Sequence, residues 1–462
     1  MMGGKYIMFL LRGNQNFNLK SFQLLFFSLS IILLNYYSNP SFSQMIPSQD
    51  GEIHLGVASC AGSTCHGALA PLPGSNVLQN EYITWQEKDK HSRAYKVLLN
   101  DRSKRIAKNL GLKSAHKAQI CLNCHADNVE EKFRHSTFKI SDGVTCEACH
   151  GGAGRWIGTH ITPTATHKNN IANGLYPTAD PLSRAKMCLS CHFGDDTRFI
   201  THRIMGAGHP RMSFELDTFT AIEPAHFVID KDYIKRGKIN AGSVKTWAIG
   251  QVIAINLMLD VLRDPKRNMD GFFPELIVFD CHGCHSPMSK LQWSKREGTG
   301  SLGPGIPRFN DSNLLMLMVI SSQIDPNISD NLKTGLVALH ESMRKDRDSM
   351  IRSASELKKI TNQLVEKFNE YNFQITDMSK MLNTIIDNAL NGNYIDYPVA
   401  EQASMAIGSI IKGMSDLGAI DKNKIKVVNN SLEKIYTAVD DPEKFEPKSF
   451  IASLKNFRNS VN

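Results

Sequence analysis

Cys121-Leu-Asn-Cys124-His125 is one of four stretches in which two cysteines, three residues apart, are followed at once by a histidine. The other three are Cys146-Glu-Ala-Cys149-His150, Cys188-Leu-Ser-Cys191-His192 and Cys281-His-Gly-Cys284-His285. On one helical turn the three side chains share a face. Two thiols can then bond to the vinyl groups of a heme while the histidine binds the iron as its proximal ligand. The four stretches predict four covalently attached c-type hemes.

A fifth cluster, Cys60-Ala-Gly-Ser-Thr-Cys65-His66, is two residues wider and takes up the last two of the ten cysteines. A disulfide between Cys60 and Cys65 is the alternative, because an exported protein allows one. The histidine directly after Cys65 favours a heme. Zinc is disfavoured for the four narrow motifs, since a zinc site does not require a histidine after each second cysteine. We therefore predict five hemes c, each with its iron.

The first 43 residues have the layout of a secretory signal peptide. Lys5, Arg12 and Lys20 are followed by an apolar run over residues 22–34, and no acidic residue occurs before the small residues that end at Ser43. We expect cleavage after Ser43. An uncleaved anchor is the less favoured alternative, because a membrane-spanning helix needs about 20 apolar residues. Export to the periplasm also suits the cysteines, since bacteria attach heme to cytochromes c outside the cytoplasm.

The formal charge of +8 does not indicate a nucleic-acid-binding protein. Loss of the three basic leader residues lowers it to +5, and two propionates on each heme carry further negative charge. The mature holoprotein is expected to be near neutral to acidic. No run of basic residues is interleaved with aromatic ones, so nucleic-acid binding is not expected. The expected partners are redox proteins, and membrane contact is expected only through an unprocessed leader.

The fold class predicted is mainly α with extensive loop. Residues 44–308, rich in glycine and proline, are expected to form a pentaheme cytochrome c domain, and residues 309–462, which lack cysteine, an α-helical C-terminal domain. Within the first, apolar periodicity predicts helices over about 80–100 and 242–262. Further periodic runs lie at about 311–324, 331–345, 350–372, 375–391, 398–417 and 424–438. His340 and the methionines of this region are expected to be packing or surface residues.

Several stretches resemble the cytochrome c-554 family. They are Trp85-Gln-Glu-Lys-Asp-Lys-His91-Ser-Arg-Ala94, Gly143-Val-Thr-Cys146-Glu-Ala-Cys149-His150-Gly-Gly and the following His160. This resemblance covers most of residues 55–192. A second block is similar to a larger multiheme branch of the same superfamily, and comprises Thr201-His202-Arg-Ile-Met205-Gly-Ala-Gly-His209-Pro210, Phe214-Glu-Leu, Pro224-Ala-His226 and Asp280-Cys-His-Gly-Cys284-His285. The tetraheme family member lacks a fifth heme and a comparable C-terminal domain, so its partner is not carried over.

The resemblance implies which histidines bind the irons from the far side. His91 and His160 are the first candidates, expected at the hemes of His150 and His66. His202, His209 and His226 come next, for the hemes of His192, His285 and His125. A hydrogen-bonded loop or surface histidine is the alternative for each of them. That alternative is favoured for His54, His116, His135, His167, His282 and His340.

Two functions follow from what fills the sixth coordination position of each iron. Histidine there blocks substrate, which indicates electron transfer between periplasmic redox partners. An open position allows chemistry, as in a multiheme oxidoreductase acting on a small nitrogen or sulfur compound. The family's tetraheme member lacks a distal ligand at its second heme, so the heme of His125 is where an open position is expected if there is one. Electron transfer is the favoured prediction, with no catalytic residue assigned.

Overall fold

The computed structural model describes residues 45–74, 77–269, 274–285, 296, 299–303 and 306–461. The chain divides into two units, residues 1–45 and 46–462, and all described residues except Met45 belong to the second. The predicted signal peptide, residues 1–43, lies outside the described residues.

The described part of the chain is helical and contains no β-strand, only three isolated bridges. This confirms the predicted fold class. Its α-helices are α1 Glu81–Lys88, α2 Ala94–Val97, α3 Asp101–Asn109, α4 Gln119–His125, α5 Cys146–His150, α6 Ile157–His160, α7 His167–Ala172, α8 Pro181–His192, α9 His202–Gly206, α10 Leu216–Ile222, α11 Lys231–Lys235, α12 Gly242–Arg263, α13 Ser312–Ser321, α14 Pro326–Met343, α15 Arg347–Glu370, α16 Ile375–Leu390, α17 Tyr397–Asp416, α18 Ile425–Ala438 and α19 Pro447–Val461.

Helices before residue 240 are short and joined by loops and 3₁₀ turns. The single helix expected over residues 80–100 is instead α1, a 3₁₀ turn Lys90–Arg93 and α2. The break lies at Asp89, whose backbone is extended (φ −80°, ψ 131°) and whose side chain accepts a hydrogen bond from the backbone N–H of His91. An aspartate at this position caps the next turn and so interrupts the helix. The apolar periodicity of the sequence continues across this interruption and does not reveal it.

Helix α12 is the centre of the molecule. Its Trp247, Ile249 and Leu259 are fully buried. It packs against α8, α10, α13, α15 and α17. Its length and apolar composition would allow it to cross a membrane, but 83% of its most apolar stretch is buried inside the protein. It is therefore a core helix surrounded by other helices.

The C-terminal helices follow the predicted periodic runs closely, with ends that differ by a few residues. Helix α13 ends at Ser321, three residues before the expected end, and α14 begins at Pro326, five residues before the expected start. A proline in the first turn and Asp325 as N-cap explain that early start. Helix α19 was not predicted. Its Phe450, Leu454 and Phe457 are buried at helical spacing.

The larger hydrophobic core extends from Ala185 in α8 to Phe457 in α19, and a smaller one around the second motif contains Leu98 and Leu122. Helix α8 ends in the Cys188–His192 motif, and its Ala185 and Leu189 pack in this core. Helix α8 packs on α12, and α12 packs on the C-terminal helices α13, α15 and α17, so at least one of the predicted heme motifs shares a core with the C-terminal helices. The boundary expected at residue 308 stays a prediction.

Buried charges join the fifth motif to the C-terminal helices. Arg296 binds Asp311 through two nitrogens, at 2.6 and 2.9 Å, and Asp396 at 2.7 Å. Arg308 binds Asp396 at 2.5 Å and Asp280, the residue before Cys281, at 3.3 Å. All five side chains are at most 7% exposed. We call these five residues the buried ion network.

His340 also reaches this region, with its Nε2 4.0 Å from Asp311 Oδ2. It is 1% exposed, so it is a packing residue and not a surface one.

Candidate heme-binding site

The five Cys-His motifs have three kinds of backbone. Three lie on α-helices, at α4, α5 and the end of α8. The motif at Cys281 is a 3₁₀ turn, Cys281–Gly283. The wider motif is a compact loop, in which the N–H of His66 donates to the carbonyl oxygen of Cys60 at 3.2 Å. The two extra residues are therefore taken up in a loop that keeps His66 close to Cys60.

None of the ten cysteines forms a disulfide, and this includes Cys60 and Cys65. Cysteines of different motifs lie close to each other. The Cys60 side chain is near enough to that of Cys146, and the Cys124 side chain to that of Cys191, for each pair to shift the pKa of its members. The first motif thus adjoins the third, and the second adjoins the fourth.

Each of the five motif histidines faces one other histidine, and the five partners are the five distal candidates of the sequence. The ring centroids are 6.0–6.4 Å apart in every pair. The pairs are His66 with His160, His125 with His209, His150 with His226, His192 with His91, and His285 with His202.

These separations fit an iron between two imidazoles. A metal–nitrogen bond of about 2 Å on each side, plus about 1 Å from each nitrogen to its ring centre, places the two centroids about 6 Å apart. Direct stacking of the rings would bring the centroids closer than this in a parallel pair. The residues present therefore fit a heme iron with two axial histidines at all five motifs.

The relative orientation of the rings differs between pairs. The planes are close to parallel in the His66/His160 pair (16°) and tilted in the His202/His285 pair (32°). They are close to perpendicular in the other three pairs, at 77°, 83° and 85°. Ring orientation affects the EPR spectrum of a low-spin ferric heme. The three near-perpendicular pairs should therefore form one class of signals, and the near-parallel and tilted pairs another.

The structure agrees with one expected pairing and differs in the rest. His160 faces His66 as expected. His91 was expected at the heme of His150, and this was wrong, because His91 faces His192.

The pairings expected for His202, His209 and His226 also differ from those in the structure. His226 faces His150, His209 faces His125 and His202 faces His285. Sequence order cannot give these pairings, because the loops that carry the distal histidines cross between motifs in the folded chain.

Burial keeps several of these imidazoles neutral, which is the form that binds a metal. Burial, with the nearby His226, lowers the pKa of His150 to about 3. Burial, with the nearby His91, lowers the pKa of His192 to about 4. Burial also lowers the pKa of His160 and His209. A free lone pair is thus available at neutral pH on at least one side of four of the predicted sites.

Two of the paired histidines hydrogen-bond to carboxylates through the nitrogen that does not face the partner. His66 Nδ1 lies 3.0 Å from Glu81 Oε2, and His91 Nδ1 lies 3.0 Å from Asp89 Oδ1. These hydrogen bonds are the main reason why the pKa values of His66 and His91 are raised. Neither carboxylate was predicted from the sequence, although the Asp-x-His spacing at Asp89 is a recognisable capping signal.

Other histidines of the pairs bond to neutral groups. His125 Nδ1 lies 3.1 Å from the carbonyl oxygen of Ala94, and His209 Nδ1 lies 2.8 Å from that of Pro210. Next to His160 Nδ1, at 3.1 Å, is the side-chain amide of Asn170. Such outer hydrogen bonds fix the orientation of a metal-binding imidazole and leave its Nε2 for the metal.

Glu147, between the two cysteines of the third motif, fixes the loop that passes beside it. Its carboxylate accepts hydrogen bonds from the backbone N–H groups of Leu55, Gly56 and Ala153 at 2.6–2.8 Å. A buried carboxylate with three backbone donors is well compensated. This glutamate therefore holds the start of the described chain against the motif.

His54 has a structural role and no motif partner. It is fully buried, and its Nδ1 lies 2.9 Å from Asp127 Oδ2. Burial alone would lower its pKa, but hydrogen bonds with Asp127 and Asp50 outweigh that effect and raise the pKa to about 10. His54 is therefore a buried cation held by two aspartates.

A cleft lies between the fourth and fifth motifs, and its lining includes His192, Phe214 and Cys281. Arg211 and Glu401 also line it and form an ion pair with each other at 2.5 Å. The cleft therefore brings one histidine of the fourth motif and one cysteine of the fifth to the same wall.

A sequence profile of the family described as cytochrome c554 and c-prime matches residues 59–151, which include the first three motifs. No curated protein and no solved structure gives a significant match to the chain. The matched residues also carry His91, Glu81 and Asp89, so family resemblance and site geometry concern the same segment. Over residues 59–151 the chain is therefore similar to the family described as cytochrome c554 and c-prime.

Proposed function

We propose that the protein is a periplasmic electron carrier with five covalently attached hemes, each ligated by two histidines. The observation that carries the proposal is that every motif histidine faces one further histidine at 6.0–6.4 Å between ring centroids. Bound heme c supplies one-electron redox chemistry. The cysteine thiols would attach it, and the paired imidazoles would bind its iron.

Close contact between motifs supports transfer along the molecule. The first and third motifs touch through Cys60 and Cys146, and the second and fourth through Cys124 and Cys191. Cys188 also lies near enough to Cys149 to affect its pKa, which places the third motif beside the fourth. The cleft between His192 and Cys281 adds the fifth. The motifs form one connected series, as a protein that passes electrons internally requires.

Electron transfer is favoured over catalysis because the second motif has a partner. His125 faces His209 at 6.4 Å, so this imidazole can fill the position that the family resemblance left open. Substrate would then have no free coordination position at this site. Redox partner proteins on either side remain part of the proposal.

Spectroscopy of the purified holoprotein tests the proposal. We expect a mass equal to the processed chain plus five hemes, and ferric absorption and EPR spectra that are entirely low-spin. Cyanide and nitric oxide should leave both spectra unchanged. A high-spin signal that cyanide converts would contradict the full bis-histidine ligation and support an enzyme with one open heme. A mass with only four hemes would remove the first motif from the proposal.

A further inference from the structure

Two of the five histidine pairs differ from the others in the charge of their hydrogen-bond partner. Glu81 approaches His66, and Asp89 approaches His91, each at 3.0 Å from Nδ1. The partners of His125 and His209 are neutral backbone carbonyls. The first and fourth sites are thus next to a full negative charge, and the second is not.

Both carboxylates are held in place by further contacts. Asp89 Oδ1 accepts from the backbone N–H of His91 at 2.9 Å, and its side chain is 9% exposed. Glu81 accepts from the backbone N–H of Gln79 at 3.2 Å through its second oxygen, and its side chain is 18% exposed. Neither is a mobile surface carboxylate, so each keeps its hydrogen bond to Nδ1 of the histidine that it contacts.

A carboxylate that accepts the Nδ1–H of an axial histidine makes that imidazole a stronger electron donor and stabilises the more positive, oxidised iron. A neutral carbonyl does this to a smaller extent. Because this proposal rests on bis-histidine ligation, it deepens the proposed function above. We propose that Glu81 and Asp89 are positioning residues that give the sites of His66/His160 and His91/His192 the two lowest reduction potentials.

The contacts between motifs give this assignment a consequence for the order of potentials. The first motif touches the third, and the fourth touches the second. Each site with a hydrogen-bonded carboxylate therefore adjoins a site for which the described residues show no such hydrogen bond. The charges of Asp89 and Glu223 also lie near His226 of the third site, so the difference in potential should be larger between the fourth site and the second than between the first and the third. An electron entering at the fourth site then moves to the second spontaneously.

Substitutions that keep the shape and remove the charge test the proposal. We expect Glu81→Gln and Asp89→Asn each to raise the potential of one heme and to change its oxidation equilibrium about tenfold, which is about 59 mV for a one-electron couple. Potentiometric titration followed by EPR is the measurement. Glu81→Gln should move a signal of the near-parallel class (16°), and Asp89→Asn a signal of the near-perpendicular class (85°).

Two further variants serve as controls. Asp101→Asn removes an exposed carboxylate, 86% exposed in its pair with Lys104, and should leave every potential unchanged. Asp89→Glu keeps the charge and should keep the low potential. If one of the two test variants fails to take up heme, the other still decides the outcome.

The possible failures can be told apart. A wild-type protein without low-spin bis-histidine signals would overturn the proposed function itself. Low-spin signals in the wild type, with potentials that neither Glu81→Gln nor Asp89→Asn moves, would overturn only the present inference. A similar shift of all hemes in either variant would also overturn it, because it would show a general effect of charge and not one exerted through a single histidine.

Discussion

Loss of Arg296 from the buried ion network should destabilise the protein strongly. In the variant Arg296→Met a chain of similar length replaces the guanidinium, and Asp311 and Asp396 lose three hydrogen bonds of 2.6–2.9 Å. The network as a whole holds three carboxylates and two guanidinium groups. Its formal charge therefore changes from −1 to −2 in a region closed to water.

The size of the effect follows from burial. Arg296, Asp311 and Asp396 are 2%, 1% and 6% exposed, so solvent does not screen the charges that remain. Removal of one partner from a buried pair costs about 3–5 kcal/mol. An exposed pair contributes only about 0–1 kcal/mol. The control Lys412→Met breaks the exposed pair with Asp416 and should change the unfolding free energy by less than about 0.5 kcal/mol.

The pH dependence of the unfolding free energy provides a second, independent test of the role of Arg296. Burial alone would raise the pKa of Asp311, but Arg296 outweighs burial and lowers it. In the wild type this carboxylate therefore stabilises the fold above its unfolded pKa, and the contribution is lost as the pH falls. Without Arg296, burial raises the pKa, so the destabilisation grows as the pH rises. The difference between wild type and variant should be largest near pH 8 and decrease towards pH 4.

Urea unfolding of the holoprotein, followed by far-UV circular dichroism at several pH values, measures both effects. A loss of less than about 1 kcal/mol at pH 8 would refute the reasoning, as would a difference between the two proteins that does not change with pH. If Arg296→Met does not fold, Arg296→Met combined with Asp311→Asn removes one orphaned charge and should recover part of the stability.

Three further predictions concern the core, a buried acid and a turn. Phe368→Ala opens a cavity at a fully buried position of α15 and should cost about 3–5 kcal/mol in urea unfolding, whereas the exposed Val427→Ala should cost less than about 0.5 kcal/mol. Burial, with the nearby charge of Glu215, raises the pKa of Asp217 to about 7. The folded state therefore holds this proton more tightly than the unfolded state, and the free energy of unfolding falls as the pH rises from about 4 to 7. Asp217→Asn should stabilise the protein by on the order of 2–4 kcal/mol at pH 8, seen as a higher melting temperature, and should leave the melting temperature unchanged at pH 4. Gly143 has φ +85°, and in Gly143→Ala the new β-carbon would lie 2.9 Å from the carbonyl oxygen of His91. The substitution should therefore displace His91 and give a high-spin fraction in the ferric EPR spectrum. An unchanged spectrum would contradict the pairing of His91.

The long helices and the identity of the ring-pair histidines could be predicted from the sequence. Helix α12 was expected over 242–262 and spans Gly242–Arg263, because a continuous apolar stretch of this length is a strong local signal. Helix α19 was missed, since its Phe450, Leu454 and Phe457 follow a short and strongly polar stretch. The helix expected over residues 80–100 is interrupted at Asp89, whose side chain caps the next turn. Apolar periodicity gives no information about such a side-chain cap.

The sequence by itself determined the five motifs and the set of ten histidines that face one another in pairs. A covalent heme site needs its cysteines and proximal histidine within one turn of the chain, so spacing alone can show it. The contact of Asp89 with His91 is also local, and its spacing can be read in the sequence. Only the tertiary structure decided which distal histidine faces which motif, and that Glu81 lies next to Nδ1 of His66. These contacts join residues in separate loops or helices. The packing of those segments around the motifs brings them together, and no local pattern encodes that packing.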